Sequence, residues 1–587
     1  MENRQLIFYA ISVILVILVL TQYRGIGDKF YVSPDTRSMF TVYHFPEGLK
    51  DNIMVQYFAT KTGSKTPLIN CYAFINKFTD FILFTKLIPI ILFLISSYYI
   101  YRLGRKIINR DYALILTIIF SIFAWAIFPL SGGTSRSFAV PLIIAFLYYL
   151  IHKNQWKLAI TTILLAIVYP PVWLVSLGIY GLSKINFKEK KIEIKLKENL
   201  MFYFSVLISI ILILLTMFTF SYGFDEPITF QEALHLPEFY LNGRIPLFKA
   251  VEPVISAPVD IIKTVIYLYN FGIKTPIVTN SVFILLILTT IFTIKYWKKN
   301  SLPKEIYFLI ASSIFFQILA SLVMFKLYFP NRYVTITIPL FLIILLSQGI
   351  YQSFKQKTSL TESKLSEVSK GKLSDISYGN FQQKKKLALY LFIPLLIMVL
   401  ILLNFSALRN QFSYCPDQEL YTFLQKLPAD TVFASHPDDA DCIALYSKKM
   451  PFLTSETAIP FDKKYYNIIK TRTFAFFSAY YSTKKSEVLD FCEKNNVDYF
   501  IVNKKHFTTE YLNKKQVYLN PFNDHVKTIT NQKVEQEEYF YFDNPEKIIF
   551  MDKEKYVVRC NPEVDTPTLT LAVQNQLVRF KKNNSAS

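Results

Sequence analysis

The chain reads as a mainly α protein: a polytopic transmembrane helical bundle of about eleven membrane segments, followed by a soluble C-terminal α/β domain. Three observations predict this. Apolar residues make up 52% of the chain and mean hydropathy is +0.30. Apolar runs near the length that crosses a ~30 Å hydrocarbon core recur through the first two thirds. After about residue 405 the composition changes to the mixed-charge pattern of a water-facing domain.

The runs are Leu6–Leu20, Phe81–Tyr101, Tyr112–Leu130, Phe202–Phe220, Ser281–Ile294, Tyr307–Phe325, Ile336–Leu346 and Leu387–Leu403. No small-residue cleavage site follows the first, where Thr21-Gln22-Tyr23-Arg24 stands, so it is expected to be an uncleaved helix. The division expected is a membrane domain over 1–405 with outer loops 23–79 and 221–260, a soluble domain over 406–578 and a disordered tail over 579–587.

Loop charge sets the orientation. Basic loops follow at Arg102–Arg110, Lys153–Lys157, Lys184–Lys197, Lys295–Lys304 and Lys355–Lys386. All can face the cytoplasm if the N-terminus is inside and Trp156–Leu182 enters the membrane and returns. Tyr169-Pro170-Pro171 lies at the centre of that segment, where proline breaks the helical ladder, so two short half-spans are expected. The C-terminal domain then lies outside the cytoplasm, on a cell inner (plasma) membrane. The net charge of +21 is loop charge of this kind, and no aromatic-basic module points to nucleic acid.

In the soluble part, Thr431–Ala434 and Tyr499–Val502 read as buried strands and Lys484–Asn495 as an amphipathic helix between them. Tyr539–Phe542 and Tyr556–Arg559 are further strand candidates. Cys415, Cys442, Cys492 and Cys560 lie here in a compartment that permits disulfides, with no spacing that fixes a pairing or a zinc site.

The candidate chemistry collects on the outer face. Asp35, in Ser33-Pro34-Asp35-Thr36-Arg37, can act as a general base, and the Arg37 cation two residues on favours its charged form. Arg136 follows the Gly132-Gly133 turn at the start of a span, where helix-terminal amides and a guanidinium suit an anion. Arg332 begins another span, and Arg244 sits in the long central loop. Asp225, Glu226 and Glu238 share that loop and suit sugar hydroxyls or a divalent cation, or simply solvent. Ser435-His436-Pro437-Asp438-Asp439 resembles the zinc motif of N-acetylglucosamine deacetylases over four residues. Ala440-Asp441-Cys442 replaces the Gly-Gly turn of that motif, and Pro437-Asp438 explains the segment as a turn.

The early acid Asp35 in a long first outer loop, the broken pair at Tyr169-Pro170-Pro171, the outward Arg136 and Arg332 and the outer C-terminal domain together resemble the GT-C superfamily of membrane glycosyltransferases. That resemblance implies an inverting transfer from a polyprenyl-phosphate-linked sugar donor to an acceptor of unknown identity in the cell envelope. It implies Asp35 as base, beside a possible divalent cation, and arginines holding the phosphate. Many members carry an acidic pair where this chain has Asp35-Thr36. A multi-pass transporter or flippase of a lipid-linked or anionic substrate is the competing class, although no internal repeat supports it.

Overall fold

A computed structural model describes residues 28–37 except 35, 52–61, some positions between 72 and 79, 80–186, 191–192, 196–219, 224–245 except 225 and 241, 288–291, 302–323, 329–368, 413–535, and 540–560 except 544 and 546. The chain divides into two compact units. The first comprises Met1–Thr36, Lys65–Thr219 and Ile261–Ser413. The second comprises Arg37–Ser64, Phe220–Asp260 and Tyr414–Ser587. Much of both long loops thus belongs to the same unit as the C-terminal domain.

The first unit is helical. Asp80 caps the helix Phe81–Ile107 by accepting from the Ile82 amide at 2.8 Å, and Arg105 and Lys106 complement its C-terminal dipole. Asn109 and Asn154 cap Arg110–Ile127 and Gln155–Val168 in the same way. Phe120, Ile143, Ile144, Val172, Ile306 and Leu340 are among the fully buried side chains of its core. The outward faces are apolar too: Leu83, Leu87, Ile91 and Leu94 form an exposed stripe at helical spacing, as do Leu200, Phe204, Leu207, Ile211 and Leu214. A soluble surface would not leave such stripes open, whereas lipid covers them.

Among the described residues three helices are long and apolar enough to cross a membrane: Phe81–Ile107, Lys304–Val323 and Pro330–Ser353. Ser135–Ile151, Gln155–Val168 and Asn199–Leu215 are shorter apolar helices. The expected count of about eleven is therefore not reached. Leu6–Leu20 and Leu387–Leu403 lie outside the described residues, as does Ser281–Ile294 apart from 288–291. The proline-broken segment forms two helices, Gln155–Val168 and Pro170–Ser183, of 14 residues each. At 1.5 Å per residue each extends about 21 Å, short of a full crossing. Tyr169 leaves helical geometry (φ −152°, ψ 82°) because the ring of Pro170 excludes it from the α region.

The second unit is α/β. In chain order it contains α1 (Ile53–Lys61), α2 (Gln418–Gln425), β1 (Val432–Ser435), α3 (Pro437–Ser447), β2 (Met450–Pro451), α4 (Lys463–Tyr480), α5 (Lys485–Asn495), β3 (Tyr499–Asn503), α6 (Phe522–Glu535), β4 (Ile548–Met551) and β5 (Lys555–Arg559). The sheet order is β2-β1-β3-β5-β4. β1 runs parallel to β2 and β3, with Phe433 opposite Tyr499, and β5 is antiparallel to β3 and β4. Of the strand expected over Tyr539–Phe542, Tyr539 lies outside the described residues, and the described part instead enters a 3-10 turn over Tyr541–Asp543. The Asp543 carboxylate accepts from the Phe540 amide at 3.2 Å, and Phe540 and Phe542 are buried in the core. The cysteines pair as Cys415–Cys442 and Cys492–Cys560. The expected tail at 579–587 lies outside the described residues.

Helix α4 fastens both loop segments to this unit. Its N-cap, Asp462, accepts from the Glu226 amide at 3.0 Å, and the Lys463 amide donates to the Glu226 carbonyl at 3.0 Å. From the other segment, Tyr57 of α1 stacks on Tyr465 with ring centroids 3.6 Å apart.

Candidate anion-binding site

Two of the four candidate arginines share one carboxylate. Arg37 Nη2 lies 3.5 Å from Glu456 Oε1, and Arg244 Nη2 lies 3.6 Å from Glu456 Oε2. Both distances exceed the ~2.7–2.9 Å of a charge-assisted hydrogen bond, so Glu456 is held loosely between two cations. The Nε–H of each arginine is buried and has no hydrogen-bond acceptor among the described residues. Two guanidiniums with spare donors around one carboxylate suit an added anion rich in oxygen.

The sequence around each arginine explains its placement. Arg37 stands in a helical turn that opens the 37–64 segment. Arg244 follows a folded tip. Glu238 there is fully buried, and its Oε1 accepts from Lys470 Nζ at 2.7 Å and from the Tyr466 hydroxyl at 3.0 Å. Gly243 packs so tightly against this tip that a Cβ would lie 2.4 Å from the Glu238 carbonyl oxygen. The Asn520 amide and the Gln516 side chain then donate to the Asn242 carbonyl at 2.9 and 3.0 Å. Glu238 thus fastens the loop that presents Arg244.

Asp441 of α3 completes the cluster. It is buried, and its two carboxylate oxygens face the Glu456 amide at 3.4 and 3.3 Å. Burial pushes its carboxyl up to about 7, helped by the charge of Glu456. Arg37, a hydrogen bond from Thr454 and Arg244 pull the other way. Neither Asp441 nor Glu456 was expected from the sequence. Asp441 is visible there only as part of the acid run after His436, and Glu456 sits in an unremarkable Ser-Glu-Thr turn.

The remaining candidates are placed as follows. Asp35 and Asp225 lie outside the described residues. Glu226 is exposed and ion-paired to Lys463 at 3.5 Å. Arg136 and Arg332 belong to the first unit. Arg136 stands in the first turn of Ser135–Ile151, behind Gly132 and Gly133 at positive φ. The Arg332 guanidinium lies 5.2 Å from the Phe329 ring centroid, and its Nε–H is buried with no acceptor among the described residues.

A second polar cluster occupies the carboxyl ends of β1 and β3, a position where α/β sheets often bind ligands. Here it is filled by the protein itself. His436 Nδ1 accepts from the Asp438 amide at 3.4 Å, which leaves its Nε2–H facing the Tyr511 hydroxyl at 3.4 Å. Tyr480, which accepts from the Asn503 amide, donates to His506 Nδ1 at 3.2 Å. Lys555 bridges Asp417 and Asp439, and Asn503 Nδ2 donates to Asp439 at 3.1 Å. Burial lowers both imidazoles, His506 to about 2. The zinc resemblance finds no support: among the described residues no group of three or more His, Cys, Asp or Glu is arranged to hold a metal ion.

No family model and no curated protein matches this chain. Among solved structures, ArnT from Cupriavidus metallidurans in the apo state aligns over 97% of this chain and 100% of its own, at 10% identity and a TM-score of 0.48. The same protein bound to undecaprenyl phosphate aligns over 96% and 99%, at 10% identity and a TM-score of 0.45. Archaeal oligosaccharyltransferase AglB from Archaeoglobus fulgidus, in complex with an inhibitory peptide and a dolichol-phosphate, aligns over 86% and 70%, at 12% identity and a TM-score of 0.44. Likeness at these values assigns neither a fold family nor an activity.

Proposed function

We propose that the chain is a membrane glycosyltransferase that moves a sugar from a polyprenyl-phosphate-linked donor to an acceptor on the extracytoplasmic side of an inner membrane. The observation that carries this reading is the convergence of Arg37 and Arg244, from two separate loop segments, on the single carboxylate of Glu456. A leaving phosphate gains negative charge as the sugar departs, and fixed guanidiniums stabilise that charge more in the transition state than in the ground state. Asp35, two positions before Arg37 in the chain, is the base that the GT-C resemblance assigns. The apolar helices with lipid-compatible outer stripes support a membrane setting. The two disulfides support an oxidising, extracytoplasmic compartment for the second unit. An inverting course and a divalent cation belong to the same proposal.

The test is transfer by the purified full chain, offered a panel of polyprenyl-phosphate sugars with membrane-lipid and peptide acceptors. Arg244→Ala is expected to lose about 10²-fold in rate, the usual cost of one charge-stabilising donor, with little change in melting temperature. Asp35→Asn is expected to lose about 10²–10⁴-fold. Wild-type rates in both folded variants would refute the reading.

A further inference from the structure

Beneath the arginine pair lies a group that an ordinary anion site would not include. Asp441 is a second carboxyl, buried at 2% exposure, whereas Asp438 three residues earlier on α3 is exposed. The buried or half-buried charged or titratable groups around it are Glu456 on the loop after β2, Arg37 on the 37–64 segment, Arg244 on the 220–260 segment and Tyr518 before α6, while Asp438, also near Tyr518, is exposed and accepts from the Ser455 hydroxyl at 2.6 Å. Tyr518 is buried and neutral, its hydroxyl pushed well above the usual tyrosine range by that burial. The local sum therefore depends on Asp441. With its carboxyl neutral, two guanidiniums face one carboxylate and the cluster carries one net positive charge. With it ionised, the charges cancel and the cluster has no surplus to attract an anion.

We infer that Asp441 sets the charge selectivity of the arginine site, and that binding of a doubly charged phosphate-type anion there is coupled to uptake of one proton by its carboxyl. This rests on the arginine-pair reading given above and adds the proton to it. Arg37 Nη1 already donates to Cys442 Sγ at 3.4 Å, so an arriving dianion brings negative charge to the two Nε–H donors that have no acceptor among the described residues, with Asp441 enclosed nearby in a medium that screens poorly. The ionised carboxyl then opposes the ligand. The protonated carboxyl does not oppose it, and its O–H becomes a donor. Glu456, partly exposed and loosely held, can turn aside toward solvent; Asp441, enclosed, cannot. Asp441 is thus a positioning residue that acts through the two arginines and touches no reacting atom.

The sign follows from linkage. Burial and the Glu456 charge raise the Asp441 carboxyl to about 7 when no anion is bound. Below that pH the binding-competent form is already present, and above it each pH unit removes about nine tenths of it. The affinity should therefore fall about tenfold per pH unit above pH 7.

The experiment uses sulfate as the probe, because it stays a dianion across the range while inorganic phosphate titrates within it. Sulfate binding to the purified full chain is measured by calorimetry from pH 5.5 to 8.5, at constant ionic strength. Measurements at pH 7 in two buffers of different ionisation enthalpy count the protons taken up. The expected result is net proton uptake at pH 7, with affinity falling about tenfold from pH 7.5 to 8.5. Asp441→Asn should bind sulfate with a flat pH profile, and Asp438→Asn should keep the wild-type slope. Buffer-independent heats in the wild type, or a slope retained in Asp441→Asn, would overturn the proton coupling. If Asp441→Asn does not fold, the proton count on the wild type decides alone. Failure of the underlying site looks different: sulfate binding that is absent, or indifferent to both Arg37→Ala and Arg244→Ala.

Discussion

The second unit contains two buried charged clusters that look alike in composition and differ in closure. Around His436, Asp439, His506 and Lys555 both imidazoles and both carboxylates have a hydrogen-bonded or ion-paired partner within the protein, and Lys555 is shared between Asp417 and Asp439. Around Arg37, Arg244, Glu456 and Asp441 the ion pairs are long, and two Nε–H donors meet no acceptor among the described residues. A closed network stabilises and specifies a fold, whereas an open one retains donors for something else. The difference separates scaffold from site without appeal to motif. The motif pointed the wrong way, since His-Pro-Asp-Asp belongs to the closed cluster.

That contrast can be broken most forcefully at Lys555. Lys555→Met leaves Asp417 and Asp439 buried without their shared cation and is expected to cost about 3–5 kcal/mol of stability. Urea unfolding of the full chain would measure it. Sulfate binding, assayed where the protein stays folded, should be unchanged. A smaller loss of stability, this time accompanied by loss of binding, is expected at Gly243→Ala. The added Cβ would meet the Glu238 carbonyl, so the loop must shift and carry Arg244 with it. Stability should fall by about 1–3 kcal/mol, as for other overpacked sites, with anion affinity falling in the same variant. Retained affinity would show that Arg244 does not depend on this tip.

The smallest effect is on pH dependence. His506 is held near 2 in the fold, against an ordinary value of 6.5, so the unfolded chain binds more protons below 6.5. Its contribution is complete above pH 6.5 and is lost as pH falls from there toward 2. Asp441, raised from 3.8 to about 7, acts in the opposite sense: its contribution is complete below 3.8 and is lost as pH rises through 7. Wild-type melting temperature should therefore drop on acidification below pH 6.5 less steeply than in Asp441→Asn. An equal or shallower drop in Asp441→Asn would contradict the assignment.

Much of the fold was legible in the sequence because its signals are local. Apolar runs gave the helices at Phe81, Leu196, Lys304 and Thr337, and Pro170-Pro171 gave the break at Tyr169. Strands β1 and β3 and helix α5 appear within a residue of where alternation and amphipathicity put them. The site was half legible. Arg37 and Arg244 stood out as cations in outer loops, but Glu456 and Asp441 carry no local mark. Their role arises from packing that joins segments some 200 and 400 residues apart in the chain. Phe540–Phe542, the described part of an expected strand, misled because an aromatic strand pattern and an aromatic core turn share the same composition.

The central claim is that the arginine pair holds a lipid-linked phosphate, and native mass spectrometry of the detergent-purified chain with undecaprenyl phosphate tests it most directly. The account predicts one bound lipid on the wild type, displaced by excess sulfate, and loss of at least tenfold in occupancy-derived affinity for the Arg37→Ala/Arg244→Ala double variant. Equal lipid occupancy in wild type and double variant would contradict it.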